Sequence, residues 1–307
     1  MPPAVSRMFA LDTTPTLQCG RFALALDRPR VMGIVNLTPD SFADGGRLPT
    51  VKAAIEYALA LVEQGADLLD VGGESTRPGA EPVDEAAEIA RVLPVIEALV
   101  ANAGVPVSVD TRKAGVMRAA LAAGADMVND VGALRAEGAI SALADSRAAV
   151  VLMHMQGEPG TMQQAPHYGD VVAEVHRFLA DRVFSCEMSG IDKRRIVVDP
   201  GFGFGKALGH NMALLAGLAR FEGLGAAVLA GLSRKSLLGE LTGRDVDARL
   251  AGSVAAHVLA VERGARIVRV HDVAATVDAL KVWQALAAVP SPRASPKPSA
   301  PRWPDDE

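Results

Sequence analysis

The sequence predicts an α/β protein, a (β/α)8 TIM barrel with a short N-terminal hairpin and a disordered C-terminal tail. Three observations predict it. Eight short apolar runs rich in Val, Ile, Leu and Ala recur between residues 31 and 270, and a helical pattern follows each of them. Each run finishes on a polar or chargeable group. The length of 307 residues suits one such barrel with extensions at both ends. A doubly wound open sheet is the alternative, and the count of eight favours closure.

Taken in order, residues 1–16 read as a flexible leader bearing Pro and Thr, and 17–28 alternate roughly, as a hairpin does. The first buried strand is 31–35, ending at Asn36, and its helix runs over about 50–64 to a C-cap at Gly65. Strand two is 67–71. Its helix starts after Pro82 with Asp84 as cap and fades near Gly104. Strand three, 107–109, ends on Asp110 and precedes a helix over about 112–122. Strand four, 127–128, ends on Asn129 and Asp130 before a short helix at about 136–145. Strand five, 149–153, ends on His154, and a helix at about 168–189 follows a Gly/Pro/Gln-rich loop. Strand six is 196–198, ending on Asp199, with its helix at about 210–219. Strand seven, 227–230, leads into Ser233-Arg234-Lys235 and two helices, near 235–240 and 246–263. Strand eight, 266–270, ends at His271-Asp272, and the last helix covers 274–288. From 290 to 307 the Pro- and Ser-rich composition reads as disorder. Residues 17–289 form the single domain.

Half of the chain is hydrophobic and little of it aromatic, so the core is expected to be aliphatic. A net charge of -5 argues against nucleic acid as the main partner. Two cysteines, Cys19 and Cys186, build neither a disulfide framework nor a metal cluster. The N-terminus lacks an apolar signal core and no apolar run spans a membrane, so a cytoplasmic protein is expected.

The stretch I-V-V-D-P-G-F-G-F-G-K (196–206) carries the chemistry most openly. A β-branched run ends in Asp199, Pro200 stops the ladder, and a floppy, aromatic-bearing glycine loop is expected beside the carboxylate. In a barrel that end of the strand is where ligands bind. The loop lacks the spacing of a dinucleotide fingerprint, and no phosphate loop of the G-x-x-x-x-G-K-[ST] type occurs. Asn36, Asp70, Asp110, Asn129, His154, Asp199, Lys235, Arg269 and His271 would ring one mouth. Any one of them is as often a helix cap, and Asp70 and Asp130 read as structural. Together they read as a site, because ending a buried strand on a charge is costly without water, a partner or a ligand. His154 reads as a packed histidine rather than a metal ligand, having no second His at ligand spacing.

Eight segments resemble those of dihydropteroate synthase. They are G-I-V-N-L-T-P-D-S-F-A-D-G-G (33–46), D-V-G-G-E-S-T-R-P-G-A (70–80), D-T-R-K (110–113), N-D-V (129–131), L-M-H-M-Q-G (152–157), D-P-G-F-G-F-G-K (199–206), S-R-K-S (233–236) and R-V-H-D-V (269–273). They occur in order over residues 30–288. The resemblance implies an enzyme that joins 4-aminobenzoate to (7,8-dihydropterin-6-yl)methyl diphosphate and releases diphosphate. It implies a pterin site of Asp110, Asn129, Met153, Asp199, Phe204, Lys235 and Arg269, with Lys235 facing Asp199. It implies a diphosphate site of Asn36, Thr76, Arg77, Arg269 and His271. Phe42, Arg77, Pro78, Phe204 and Ser233 would meet 4-aminobenzoate. Asp110, Asp199, Lys235 and Arg269 carry the catalytic roles. Mg2+ is the implied cofactor, on Asn36 with Asp44 as a second candidate ligand, and a homodimer, sulfonamide sensitivity and a dissociative reaction are the family pattern. Corrinoid-dependent methyltransferases share the barrel but have no need of S-T-R-P-G and S-R-K-S. A non-catalytic paralogue would lose Arg77, Lys235 or Arg269, and all three are present.

Overall fold

The computed structural model describes residues 15–37, 50–75, 81–158 and 160–289. The expected leader up to residue 14 and the tail from 290 lie outside them, as do Phe42, Asp44, Thr76, Arg77 and Pro78.

Strands β1 (Thr16–Cys19) and β2 (Phe22–Ala25) form an antiparallel hairpin. Eight parallel strands then close a barrel: β3 (Arg30–Asn36), β4 (Leu68–Gly72), β5 (Val107–Asp110), β6 (Met127–Asp130), β7 (Ala149–Met153), β8 (Ile196–Asp199), β9 (Ala227–Ala230) and β10 (Ile267–Val270), with β10 pairing both β9 and β3. The helices of the described residues are α1 (Val51–Glu63), α2 (Glu85–Asn102), α3 (Ala114–Ala122), α4 (Ala139–Ala144), α5 (Val171–Met188), α6 (Leu208–Ala216), α7 (Ser236–Thr242), α8 (Leu250–Glu262) and α9 (Val273–Ala287). The predicted barrel is therefore the fold. The hairpin is shorter than expected, and the helix expected over 246–263 is interrupted: a 3-10 turn at Val246–Ala248 precedes α8.

Local chemistry explains the element starts. Thr50 caps α1 by accepting from the Ala53 N–H at 3.1 Å, and Asp84 caps α2 through Ala87 at 2.9 Å. Asp170 accepts from both Val172 and Ala173 at the start of α5. Outward strand residues such as Val35, Val71, Val109 and Val198 pack against inward helix residues such as Leu61, Ile96, Met117 and Leu179. A second cluster fills the barrel interior at the end where the strands begin. Leu17, Cys19 and Leu26 of the hairpin region meet Met32, Leu68, Met127, Val197, Leu229 and Ile267 there. The hairpin thus plugs the floor. Each fully buried Leu contributes roughly 1.5–3 kcal/mol relative to exposure.

Candidate active site

Strand register assembles the mouth. Asp110 pairs with Asn129 across β5–β6, and Met153 pairs with Asp199 across β7–β8, so these side chains reach the rim at one level. Arg269, on β10, reaches across the mouth. Its Nε donates to Asp70 at 2.6 Å and its guanidinium nitrogen Nη2 donates to Asp110 at 2.7 Å. Asn129 Nδ2 donates to the same Asp70 oxygen at 2.9 Å. Asp70, expected to be structural, is fully buried and holds Arg269 and Asn129 in place. Asp130 is structural, as expected: its carboxylate accepts from the Gly132 and Leu134 N–H groups at 2.6 and 2.7 Å.

Burial sets the electrostatics. It pushes the Asp110 carboxyl up to about 7, with the Arg269 charge pulling the other way. Burial also raises Asp199, against the attraction of Lys235. It lowers Lys235 to about 8, with Asp199 opposing that shift. Lys235 and Asp199 each shift the other's charge equilibrium, while their hydrogen bonds go elsewhere. The Lys235 ammonium donates to the Phe202 carbonyl and lies 4.6 Å from the centre of the Phe204 ring, while Asp199 accepts from the Gly201 N–H at 2.7 Å. The two groups act on each other through space rather than through a shared hydrogen bond.

The loop expected to be floppy is tied down at every carbonyl from 201 to 206. Gly201 accepts from the Phe204 N–H at 3.1 Å, Phe202 from Lys235, and Gly203 from Gln163 Nε2. Phe204 accepts from Lys206 at 2.9 Å, Gly205 from the Tyr168 hydroxyl at 2.9 Å, and Lys206 from Asn211 at 3.1 Å. Its glycines are there for close approach. A Cβ on Gly201 would stand 2.0 Å from the His154 carbonyl oxygen, and one on Gly205 2.4 Å from that of Gln156, with both residues at positive φ. The loop is a rigid wall. It presents Phe204 beside a methionine cluster of Met153, Met155 and Met162.

His154 is packed, as expected. Its ring meets Phe178 edge-on at 4.9 Å, and Nδ1 lies 3.0 Å from the buried Lys206 ammonium. Burial, aided by the Lys206 charge, lowers His154 to about 3, so Nδ1 accepts. The same ammonium donates to the His154 carbonyl at 3.2 Å, completing three acceptors for three N–H bonds. Burial lowers Lys206 to about 7. Sequence reasoning gave Lys206 no role; its place one residue beyond the glycine alternation was the available signal.

Ser233 and His271 meet: the His271 N–H donates to Ser233 Oγ at 3.2 Å, and the His271 Nδ1 lies 3.0 Å from the same oxygen. Asn36 ends β3 half-buried. Around Glu74 and Val83, a charged network also escaped sequence reasoning. Lys113 pairs with the fully buried Glu88 and, at 3.1 Å, with Glu74, whose other oxygen accepts from the Val83 N–H at 3.0 Å.

A barrel mouth with a rigid aromatic wall, a buried Asp and a spanning Arg–Asp pair belongs to a class with a matching family model: residues 32–271 match the pterin binding enzyme family. The chain belongs to that family. Within it, the chain is 54% identical over 274 residues to the dihydropteroate synthase of Neisseria meningitidis serogroup C, covering 88% of this chain and 96% of that one. The Xanthomonas albilineans dihydropteroate synthase, solved with 4-aminobenzoic acid, superposes with a TM-score of 0.85 at 64% identity, over 91% of this chain and all of that one. The Yersinia pestis enzyme, solved with a sulfonamide drug complex, gives a TM-score of 0.86 at 44% identity, over 89% of this chain and 100% of that one. The chain is a member of the dihydropteroate synthase family of transferases.

Proposed function

We propose that this mouth condenses (7,8-dihydropterin-6-yl)methyl diphosphate with 4-aminobenzoate to give 7,8-dihydropteroate and diphosphate. The observation that carries the reading is the grouping of Asp199, Asn129, Asp110, Lys235 and Arg269 beside the fixed Phe204–Met153 wall. A pterin is a flat ring with an edge of alternating donors and acceptors. Asp199 can accept from the ring N–H and amine, one on each oxygen, since Oδ1 keeps a lone pair beyond the one given to the Gly201 N–H; this is a charge-assisted bidentate contact. Asn129, steadied by Asp70, supplies both a donor and an acceptor. Phe204 and Met153 give the flat face a partner, and Arg269 covers the opposite side.

Arg269 and His271 meet the diphosphate with Asn36, and Thr76 and Arg77 are assigned there by the family pattern. As diphosphate leaves, positive charge grows on the pterin methylene. Asp110 in its ionised form offsets that charge, the neutral aniline amine then attacks the methylene carbon, and the extra proton on nitrogen passes to the released diphosphate or to water. Catalysis is positional and electrostatic, with donors fixed before reaction. The 4-aminobenzoate carboxylate is assigned to Ser233, with Phe42, Arg77, Pro78 and Phe204 around its ring.

For Mg2+, Asn36 offers one neutral oxygen donor at the mouth, and no three His, Cys, Asp or Glu converge on a metal among the described residues. That donor set fits magnesium carried largely by diphosphate oxygens and water, with Asp44 as a second ligand. When bound, it neutralises diphosphate charge.

A homodimer is part of this proposal. Leu250 and Leu259 on α8 and Val282 and Leu286 on α9 are exposed at 44%, 45%, 72% and 70%, apolar surface of the kind a second copy covers. No described helix is long and apolar enough to cross a membrane, and the proposed location is the cytoplasm. The test is diphosphate release. It should require the dihydropterin diphosphate and 4-aminobenzoate together; release at full rate with either alone, or none with both, contradicts the proposal.

A further inference from the structure

Helix α8 lies behind the segment that carries Ser233 and Lys235. Three residues one turn apart, Arg249, Ser253 and His257, face that segment and take hold of its backbone. His257 Nε2 accepts from the Leu232 N–H at 3.2 Å. Ser253 Oγ accepts from the Arg234 N–H at 3.0 Å, and its own proton goes to the Arg249 carbonyl at 2.7 Å. Arg249 donates to the Arg234 carbonyl at 3.0 Å, to that of Lys235 at 3.4 Å, and to that of Arg244 at 2.9 Å.

The segment needs such support. Arg234 sits at a φ of 57°, a left-handed conformation that a side chain disfavours. That kink turns Lys235 into the mouth, where its ammonium meets the Phe202 carbonyl and the Phe204 ring. Arg234 also donates to Asp272 at 3.0 Å, which ties the kink to the start of α9. The support is built into the packing as well. His257 and Ser253 are almost fully buried. Gly239 of α7 makes room for Arg249, since a Cβ there would stand 2.2 Å from its guanidinium nitrogen. Burial holds His257 neutral, lowering it to about 4, so Nε2 keeps its lone pair for Leu232.

We propose that Arg249, Ser253 and His257 are positioning residues: a ladder at i, i+4 and i+8 that holds the left-handed kink at Arg234 and so sets where Lys235 and Ser233 stand. None of the three reaches the mouth. This rests on the reading of the mouth as the dihydropterin diphosphate site.

The test compares His257→Leu, His257→Gln, Ser253→Ala, Gly239→Ala and, as a control on the same helix, the buried Val261→Ala. Steady-state kinetics and calorimetry with dihydropterin diphosphate are read beside thermal midpoints. His257→Leu, Ser253→Ala and Gly239→Ala should each lower kcat/KM by about ten-fold or more, because small misplacement of a catalytic group is costly. His257→Gln, whose amide oxygen reaches the Nε2 position, should recover most of the loss. Val261→Ala should keep the parent's kcat/KM at a similar fall in midpoint. Gly239→Ala alters no hydrogen-bonding side chain and displaces only the flexible end of Arg249, so it tests the ladder if His257→Leu does not fold. Unchanged kcat/KM in Gly239→Ala and Ser253→Ala, no recovery in His257→Gln, or an equal loss in Val261→Ala would overturn the proposal. An inactive parent that still binds dihydropterin diphosphate would instead count against the condensation, and the affinities of the variants would then decide the ladder.

Discussion

The two ends of the barrel carry the same kinds of residue and put them to opposite use. At the floor, Asp126 accepts from the backbone N–H of Val107, from that of Arg21 and from two nitrogens of the Arg21 side chain. Asp67 is held likewise by the Val31 N–H and by Arg28 and Arg30. These carboxylates are saturated by the chain. At the mouth, Asp110 and Asp199 are raised and Lys235 is lowered, each chiefly by burial. Their hydrogen-bond partners are fewer: Asp110 accepts from Arg269, Asp199 from the Gly201 N–H, and Lys235 donates to the Phe202 carbonyl. Charge at a strand end is therefore not a signal of function by itself; an incomplete shell around it is.

The largest effect expected from that difference is at Asp199. Asp199→Ala should cost roughly 2–5 kcal/mol of pterin binding, the range for truncating one side of a buried charge-assisted contact. Calorimetry should show a fall in affinity of at least about thirty-fold with the thermal midpoint close to the parent's. Near-normal binding by the folded variant would break the assignment. At the floor the pattern inverts. Asp126→Ala leaves the Val107 and Arg21 N–H groups unsatisfied and should cost about 2–4 kcal/mol of stability in urea, with kcat unchanged for the folded fraction. Loss of kcat in step with stability would mean that the ends are not separable.

A smaller effect concerns coupling within the mouth. Adding pterin, magnesium and diphosphate should create the 4-aminobenzoate site, and Arg77→Ala should weaken that coupling more than it weakens pterin binding. Equal 4-aminobenzoate affinity with and without diphosphate would count against it. The smallest effect concerns selectivity. Sulfonamides should compete with 4-aminobenzoate, and substitutions at Phe42 or Pro78 should weaken the drug more than the substrate. Inhibition that excess 4-aminobenzoate cannot reverse would contradict a shared pocket.

How far the chain could be read follows from the same contrast. The barrel was legible because buried parallel strands are continuous apolar runs, as in A-V-V-L-M at 149–153, and because Thr50, Asp84 and Gly65 mark helix ends. Asn129, Asp199, Lys235 and Arg269 were legible as strand-end polar groups, and the structure brings them to one mouth. The role of Asp70 was not legible, since only the fold brings Arg269 beside it from 199 positions away. The stiffness of the glycine loop was hidden for the same reason. Four of its six carbonyls are satisfied by Gln163, Tyr168, Asn211 and Lys235, none of which lies within it. The hairpin's length was overestimated because alternation continues past Ala25 into Leu26, which is buried in the floor cluster after the ladder has ended.

The charge states of the mouth give the most direct test. If Asp110 must be ionised and Lys235 protonated, kcat/KM for the pterin substrate should rise with pH to about 7 and fall above about 8. The stability signs are opposite to those of an ordinary ion pair. Lys235 binds its proton less well folded than unfolded, so between its folded value of about 8 and its ordinary 10.5 its contribution to stability rises with pH. The decisive measurement is an NMR titration of lysine Nζ labelled with nitrogen-15, with the Lys235 signal assigned by its loss in Lys235→Met. A midpoint at about 8 is expected, moving upward when dihydropterin diphosphate brings its negative charge into the mouth. A midpoint near 10.5 that the ligand does not move would contradict a mouth whose charges are left for substrate to complete.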